Sequence, residues 1–137
     1  MTMANPGFGA LNTDLALAYR VRDTTAGKAR KLLVLLHGVG GNEANFLDWA
    51  DQVDHDTLLV LARGPLPMAP QQFAWFRVAF GAQGPVIVAA EAENSRVQLI
   101  HFIQQLQSKY GIEAHQTIVA GFSQGGIMSA SVALSSP

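Results

Sequence analysis

The sequence predicts an α/β protein in which a mostly parallel sheet is covered by helices on both faces. Residues 31–37 and 56–62 are almost unbroken apolar runs, which is typical of parallel strands buried on both faces. Segments with helical spacing follow, and a third short apolar strand, residues 117–120, precedes another helix-compatible run. This alternation of strand and helix is the pattern that places helices on both sides of a parallel sheet.

The first half of the chain supplies three elements in order. Residues 15–22 alternate in character, which predicts a half-exposed strand, and residues 23–30 form a turn region. After the buried strand at 31–37, Asn42 is predicted to cap a helix that ends at about Val53. That helix is expected to bury its large apolar side chains, Phe46, Trp49 and Val53.

The second half begins with the strand at residues 56–62. A long loop rich in proline and aromatic residues is predicted next. A helix over residues 90–110 follows, with Gly111 just past its end, because apolar residues recur at helical spacing. The predicted stripe consists of Ile100, Ile103, Leu106 and Tyr110. The strand at 117–120 and the helix-compatible run at 127–134 complete the order.

The composition indicates one globular domain over residues 1–137. Hydrophobic residues make up 49% of the chain and charged residues 14%, which is too apolar for a disordered chain. Nine basic and ten acidic residues give a formal charge of −1 without any basic run, so nucleic acid is not an expected partner. The lack of cysteine excludes disulfides, zinc–thiolate sites and a cysteine nucleophile. With no signal-peptide pattern and no apolar run of membrane-spanning length, a cytoplasmic location is expected.

Residues 121–125, Gly-Phe-Ser-Gln-Gly, have the spacing G-x-S-x-G between a strand and a helix. Such a sharp turn exposes Ser123 in a strained conformation, and the flanking glycines let the backbones pass closely. A serine hydroxyl becomes a nucleophile when it is exposed, held still and served by a base. The motif also fits a glycine-rich turn with an idle serine, but its position between a buried strand and a helix favours catalysis.

A second glycine-rich segment, residues 38–41, follows the first buried strand. A tetrahedral oxyanion needs two fixed N–H donors, commonly one after the nucleophile and one from this loop. Those donors would be the amides of Gln124 and Val39, the latter flanked by glycines. The loop also fits an ordinary strand end or a phosphate cradle, although a P-loop lysine and the G-x-G-x-x-G spacing are both missing.

Together these segments resemble the phospholipase/carboxylesterase family of α/β-hydrolases, which includes acyl-protein thioesterases. The resemblance rests on segments in family order, at residues 35–41, 63–65, 75–76, 110–112 and 121–126. It implies the N-terminal part of an α/β-hydrolase fold and a serine esterase acting on carboxylic esters or thioesters without a cofactor. It further implies Ser123 as nucleophile, Val39 and Gln124 as oxyanion donors, and Trp75 and Phe76 near the acyl pocket.

The histidines of the chain are poor candidates for the general base. His37 is expected to hydrogen-bond the glycine loop, His55 to lie in a solvated turn and His101 to lie on a helix border. His115 precedes the strand that leads to Ser123, and four extended residues of about 3.3 Å each separate it from the nucleophile by more than about 13 Å. No set of ligands has metal-binding spacing. Because family members carry an aspartate and then a histidine in later strands, both are expected beyond the given residues.

Two alternatives stay open at this point. The aromatic residues of the predicted loop, Phe73, Trp75, Phe76 and Phe80, fit a core as well as a pocket wall. The chain also fits a non-catalytic module of this fold that acts only by association. Whether the chain is part of an esterase or a non-catalytic module, the strand at 117–120 is expected to form an exposed sheet edge without a charged residue. Such an edge is suited to pairing with another polypeptide or to homo-oligomer formation.

Overall fold

A computed structural model describes residues 10–22, 31–54, 56–82 and 84–135. The predicted turn at 23–30 and His55 lie outside the described residues, as do the side chains of Trp49 and Phe80. Among the helices within these ranges, none has the length and apolar composition that crossing a membrane requires.

The described part of the chain consists of short strands and two α-helices, joined in places by 3₁₀-helices. The strands are β1 Tyr19–Arg22, β2 Lys31–Leu36, β3 Thr57–Ala62, β4 Leu66–Ala69, β5 Gln72–Ala74, β6 Val78–Gly81, β7 Gly84–Ile87 and β8 Thr117–Gly121. The α-helices are α1 Ala89–Tyr110 and α2 Gln124–Ser135, and the 3₁₀-helices are Glu43–Gln52 and Ala114–Gln116. Of the strand predicted at 15–22 only β1 forms, because residues 15–17 are bends.

The central sheet has four strands in the order β1-β3-β2-β8. β2 pairs in parallel with both β3 and β8, whereas β1 runs antiparallel to β3 at one edge. The predicted mostly parallel sheet is therefore confirmed. Since Leu36 and Gly121 are register partners, β2 and β8 end side by side. The glycine loop and the Ser123 turn thus leave the sheet at the same point.

Helical segments cover both faces of this sheet, as predicted. Successive residues of a strand face opposite sides, and the alternation is clear in β2. Leu32, Val34 and Leu36 join the larger core cluster, to which α1 and α2 contribute. Leu33 and Leu35 pack instead on a smaller cluster with the 3₁₀-helix Glu43–Gln52.

Local caps set the ends of two helical segments. Asn42 Oδ1 accepts a hydrogen bond from the Ala44 amide at 2.8 Å, so the predicted N-cap is confirmed. The segment it caps has 3₁₀ rather than α geometry, and Phe46 and Val53 are only partly buried. At the end of α1, Gly111 adopts the predicted left-handed conformation with φ 68°, and its amide donates to the Gln107 carbonyl.

The prediction of a long loop between β3 and α1 is wrong. This region folds into two β-hairpins, β4–β5 and β6–β7. Strands of three or four residues are too short to show the period-two alternation that reveals a strand in sequence. Left-handed residues mark both turns, with φ 62° at Gln71 and 114° at Gly84. The first hairpin carries the chain directly into the core at Trp75 and Phe76.

A buried ion cluster joins β1, the 3₁₀-helix Glu43–Gln52 and the end of β3. The carboxylate of Glu43 accepts hydrogen bonds from Arg63 at 2.7 and 3.0 Å and from Arg20 at 3.3 Å. Burial raises the pKa of Glu43, but the hydrogen bonds and charge of Arg63, a backbone hydrogen bond and the bond from Arg20 together outweigh that effect. Its pKa therefore lies below the ordinary value of 4.5, and the group is ionised and paired at neutral pH.

We expect Glu43→Gln to lower the free energy of unfolding by about 2 kcal/mol at pH 7, because it leaves Arg63 and Arg20 without their counter-charge. A carboxyl group with a lowered folded-state pKa stabilises the fold above its unfolded pKa and loses that effect as the pH falls. The difference in the free energy of unfolding between wild type and Glu43→Gln should consequently shrink as the pH falls below 4.5. Urea unfolding at several pH values measures both effects.

The matched control is Glu93→Gln, which removes an exposed carboxylate paired with Arg96. Exposed pairs contribute little, so this variant should unfold at nearly the same urea concentration as wild type. If both variants lost the same free energy of unfolding, the assignment of a structural role to the buried ion cluster would be contradicted.

Candidate active site

Ser123 lies at the tip of the turn between β8 and α2. Its φ is 55°, the left-handed conformation that a residue with a β-carbon adopts only under strain. The side chain is exposed. The Phe122 amide donates to the Leu36 carbonyl at 3.0 Å, which anchors the turn to the end of β2. Ser123 therefore has the strained, exposed geometry that the G-x-S-x-G spacing predicts.

The two glycines of the motif are needed because backbones meet here. A β-carbon on Gly125 would lie 2.1 Å from the Leu36 carbonyl oxygen, and one on Gly121 would lie 2.3 Å from the Gly125 carbonyl carbon. Either distance is far below a van der Waals contact. The glycines thus let the first turn of α2 press against the carboxyl ends of β2 and β8.

The glycine loop after β2 lies directly beside the serine. A β-carbon on Gly38 would be 3.5 Å from the Ser123 β-carbon. The Gly40 amide donates to the Phe73 carbonyl at 2.9 Å, and the Gly41 amide donates to the Gly38 carbonyl at 3.2 Å. Neither of these amides is available to a ligand.

The amides of Val39 and Gln124 differ from those of Gly40 and Gly41. No residue of the described ranges accepts a hydrogen bond from the Val39 amide, and Val39 itself is exposed. Gln124 is the first residue of α2, where the amide has no carbonyl of its own helix to bind. The two sequence-predicted donors are thus unengaged amides in segments that flank Ser123.

His37 is buried and both of its ring nitrogens are engaged. Nε2 accepts from the Gly64 amide at 2.9 Å, so the proton is on Nδ1, which lies 2.7 Å from the Gly38 carbonyl oxygen and donates to it. Burial, more than the nearby Arg63, lowers the pKa of His37 despite the raising effect of the Gly38 carbonyl and of Glu43. His37 is a neutral support of the glycine loop, as predicted, and not a base for Ser123.

The remaining described histidines are exposed and lie on other elements. His101 is on α1, and His115 is in the 3₁₀-turn that precedes β8, at the opposite end of that strand from Ser123. Within the described ranges, no group of three or more potential ligands could hold a metal ion. The described residues thus bring together a serine, two amides and one histidine, His37, whose ring nitrogens are both engaged.

Trp75 and Phe76, the predicted substrate-contacting residues, belong to the hydrophobic core and are almost without exposed surface. Their connection to the site is through hydrogen bonds. The amides of Trp75 and Phe76 donate to Gln124 Oε1 at 2.7 and 3.3 Å, and Gln124 Nε2 donates to the Phe76 carbonyl at 2.7 Å. Of the two interpretations that the sequence left open, this burial favours core packing.

The family can be decided from a comparison with known proteins. A sequence model of the phospholipase/carboxylesterase family matches residues 20–137. The chain belongs to this family. Esterase YpfH of Escherichia coli (strain K12) is 32% identical to it over 109 residues, which are 73% of this chain and 44% of the esterase.

Solved structures agree with this membership of the phospholipase/carboxylesterase family. A carboxylesterase from Mesorhizobium loti superposes with a TM-score of 0.78 at 27% identity, over 96% of this chain and 60% of that protein. Acyl-protein thioesterase 2 of Zea mays shares the fold, with a TM-score of 0.61 at 20% identity over 84% of this chain and 50% of its own. The α/β-hydrolase fold is confirmed, and the chain spans about half the length of these relatives.

In this member of the phospholipase/carboxylesterase family, a cavity of about 470 Å³ opens beside the serine turn. Its wall joins the glycine loop to apolar side chains from three elements, among them Leu35, Phe46, Ala120 and Phe122. Leu35 and Phe122 lie in the motif segments 35–41 and 121–126, but no motif marks Phe46 or Ala120, because only the folded sheet brings these separate segments together. Leu35 and Ala120 lie side by side because they are register partners on β2 and β8.

Proposed function

We propose that the chain carries the nucleophile and oxyanion half of a serine esterase that acts on carboxylic esters or thioesters. The observation that carries this proposal is the left-handed, exposed Ser123 in a strand–helix turn of a chain from an esterase family. In this mechanism Ser123 Oγ attacks the acyl carbon and a base takes its proton. The alcohol or thiol leaves with that proton, and water then hydrolyses the acyl-enzyme.

The developing oxyanion is bound in this proposal by the amides of Val39 and Gln124. Their support is that both amides are unengaged and belong to segments adjoining Ser123, whereas Gly40 and Gly41 already donate to backbone carbonyls. The positive end of the α2 dipole favours negative charge at the same place.

The base and acid are proposed to come from polypeptide outside the given 137 residues. In support, His37 is neutral and doubly hydrogen-bonded, His101 lies on α1, and His115 lies at the opposite end of β8 from Ser123. The chain spans 44% of Esterase YpfH and 60% of the Mesorhizobium loti carboxylesterase. These shares support the proposal that further catalytic residues lie outside the given residues. A cytoplasmic location stays a prediction.

For the acyl group we propose the cavity beside the turn. Its mostly apolar wall and its volume of about 470 Å³ suit an acyl chain. Direct contact of Trp75 and Phe76 with substrate stays a prediction, and their burial favours an indirect role through Gln124.

The rival function is a non-catalytic module that acts only by association. The observation in its favour is the absence of a base near Ser123 among the described residues, together with the open edge of the sheet at β8.

Ser123 is expected to be the serine of this chain that a fluorophosphonate probe labels on prolonged incubation, because it combines exposure with adjacent oxyanion donors. Peptide mass mapping locates the adduct. Ser123→Ala should abolish labelling, whereas the control Ser129→Ala, in the adjoining helix α2, should leave it unchanged. Labelling at another serine, or persistent labelling of Ser123→Ala, would refute the assignment.

The isolated chain should hydrolyse a p-nitrophenyl ester at a negligible rate. An oxyanion hole without base and acid retains about 10³-fold acceleration over water, roughly 10⁶-fold below a complete triad. Turnover is measured with protein of verified mass and compared with Ser123→Ala. Robust turnover that depends on Ser123 would mean that a base within the 137 residues has been overlooked.

We further propose that β8 pairs with a second polypeptide. β8 has a sheet neighbour, β2, on one side only within the described chain, and its residues Thr117–Gly121 include no charge. Ile118 and Phe122 are 57% and 70% exposed beside this edge. An uncharged apolar edge strand is a template for intermolecular pairing.

In isolation the chain should therefore self-associate at low micromolar concentration. Size-exclusion chromatography with light scattering measures its mass. Ile118→Lys should shift the chain towards monomer, because a lysine at an edge blocks strand addition. The matched control Val97→Lys changes an equally exposed residue on α1 and should not alter the mass. A cooperatively unfolding wild-type monomer with β8 amides protected from hydrogen exchange would contradict the proposal.

A further inference from the structure

The hairpin strand β5 is bonded to the glycine loop. The Gly40 amide donates to the Phe73 carbonyl at 2.9 Å, and the Phe73 amide donates to the Gly41 carbonyl at 2.8 Å. This antiparallel bridge lies immediately after Val39. Asn42 Nδ2 adds a bond to the Gln71 carbonyl at 2.8 Å. The position of the Val39 amide thus depends on the backbone at Phe73.

Two residues further along, the same backbone is bonded to the serine turn. The Gln124 side chain is buried and binds three backbone groups of Trp75 and Phe76, accepting from both amides and donating to the Phe76 carbonyl. An amide side chain can accept and donate at once, which neither a carboxylate nor a methionine can do. Since Gln124 directly follows Ser123, these bonds fix the first residue of α2.

A third set of contacts braces the middle of the segment. Trp75 Nε1 donates to the His37 carbonyl at 2.9 Å, and Ser95 Oγ on α1 donates to the Trp75 carbonyl. Gly64 packs directly against the backbone of Ala74. A β-carbon on Gly64 would lie 2.6 Å from the Ala74 carbonyl oxygen, so only glycine fits there. The segment 73–76 is therefore held at its first end by the glycine loop, at its other end by the buried Gln124 side chain, and in between by buried residues.

We propose that the backbone of residues 73–76 sets the separation of the two oxyanion donors, and that the Gln124 side chain is the positioning residue that links this segment to the serine turn. This inference rests on the proposed function for its catalytic consequence. Two amides from distant parts of the sequence must both lie about 2.7–3.1 Å from one oxygen. A backbone fixed by hydrogen bonds can keep two amide positions within so narrow a range of distances. Trp75 and Phe76 then act on the site by holding this segment in the core.

The test is Gln124→Met, which keeps the side-chain length and removes all three hydrogen bonds. Hydrogen exchange of the Gly40 and Phe73 amides, at the far end of the segment, should accelerate at least about tenfold, because the bridge loosens when its other end is released. Labelling of Ser123 by a fluorophosphonate should slow at least about tenfold in its maximal rate with little change in probe affinity. The control Gln104→Met, exposed on α1, should change neither quantity.

Gln124→Glu provides a second variant. A protonated carboxyl group reproduces the acceptor and the donor of the amide, whereas the ionised form loses the donor. Protection of the Gly40 amide should accordingly approach the wild-type value at low pH and fall as the carboxyl ionises. This readout applies if Gln124→Met fails to fold.

Different results would contradict the positioning role of Gln124 and the proposed function of Ser123. Unchanged protection at Gly40 and Phe73 in a variant whose Trp75 and Phe76 amides have become exposed would overturn the positioning role. Labelling of another serine in preference to Ser123 in the wild type would refute the proposed nucleophile, while the exchange measurement would still decide whether residues 73–76 couple the two loops.

Discussion

The contact between the first turn of α2 and the carboxyl end of β2 is the constraint on which the rest of the structure depends. Gly125 lies against the Leu36 carbonyl with no room for a side chain. This approach brings the turn that carries Ser123 next to the loop that begins at Gly38. Parallel pairing of β2 with β8 makes the approach possible, because both strands then end at the same edge.

Two buried polar side chains on either side of the glycine loop in sequence, His37 and Glu43, have hydrogen-bond partners, and each set of bonds has a structural consequence. His37 is neutral because burial disfavours its charge, and this state leaves Nε2 able to accept from Gly64. Glu43 is charged because Arg63 and Arg20 surround it. The buried group is neutral in one case, where it supports the glycine loop, and ionised in the other, where it joins β1 and the end of β3 to the 3₁₀-helix.

The sequence was informative where a physical rule acts over neighbouring residues. Continuous apolar runs predicted β2 and β3, the capping side chain predicted the start at Asn42, and glycine spacing predicted the turn at Ser123. The sequence was uninformative where partners are distant. The strands at 66–74 and 78–87 are too short for a pattern, and the side chain of Gln124 gave no signal because its partners, Trp75 and Phe76, are remote in sequence. The cavity beside Phe46 likewise exists only after three elements have packed.

The backbone conformation of Ser123 has a thermodynamic consequence. Its φ of 55° lies in a region that glycine enters freely and that other residues enter at a cost of about 1 kcal/mol. Glycine would therefore relieve the strain at this position, and a chain optimised only for stability would carry it. The chain instead has a hydroxyl group there. It forgoes stability at the residue whose side chain is the proposed nucleophile, so replacing that residue by glycine would stabilise the fold at the expense of the reactive hydroxyl.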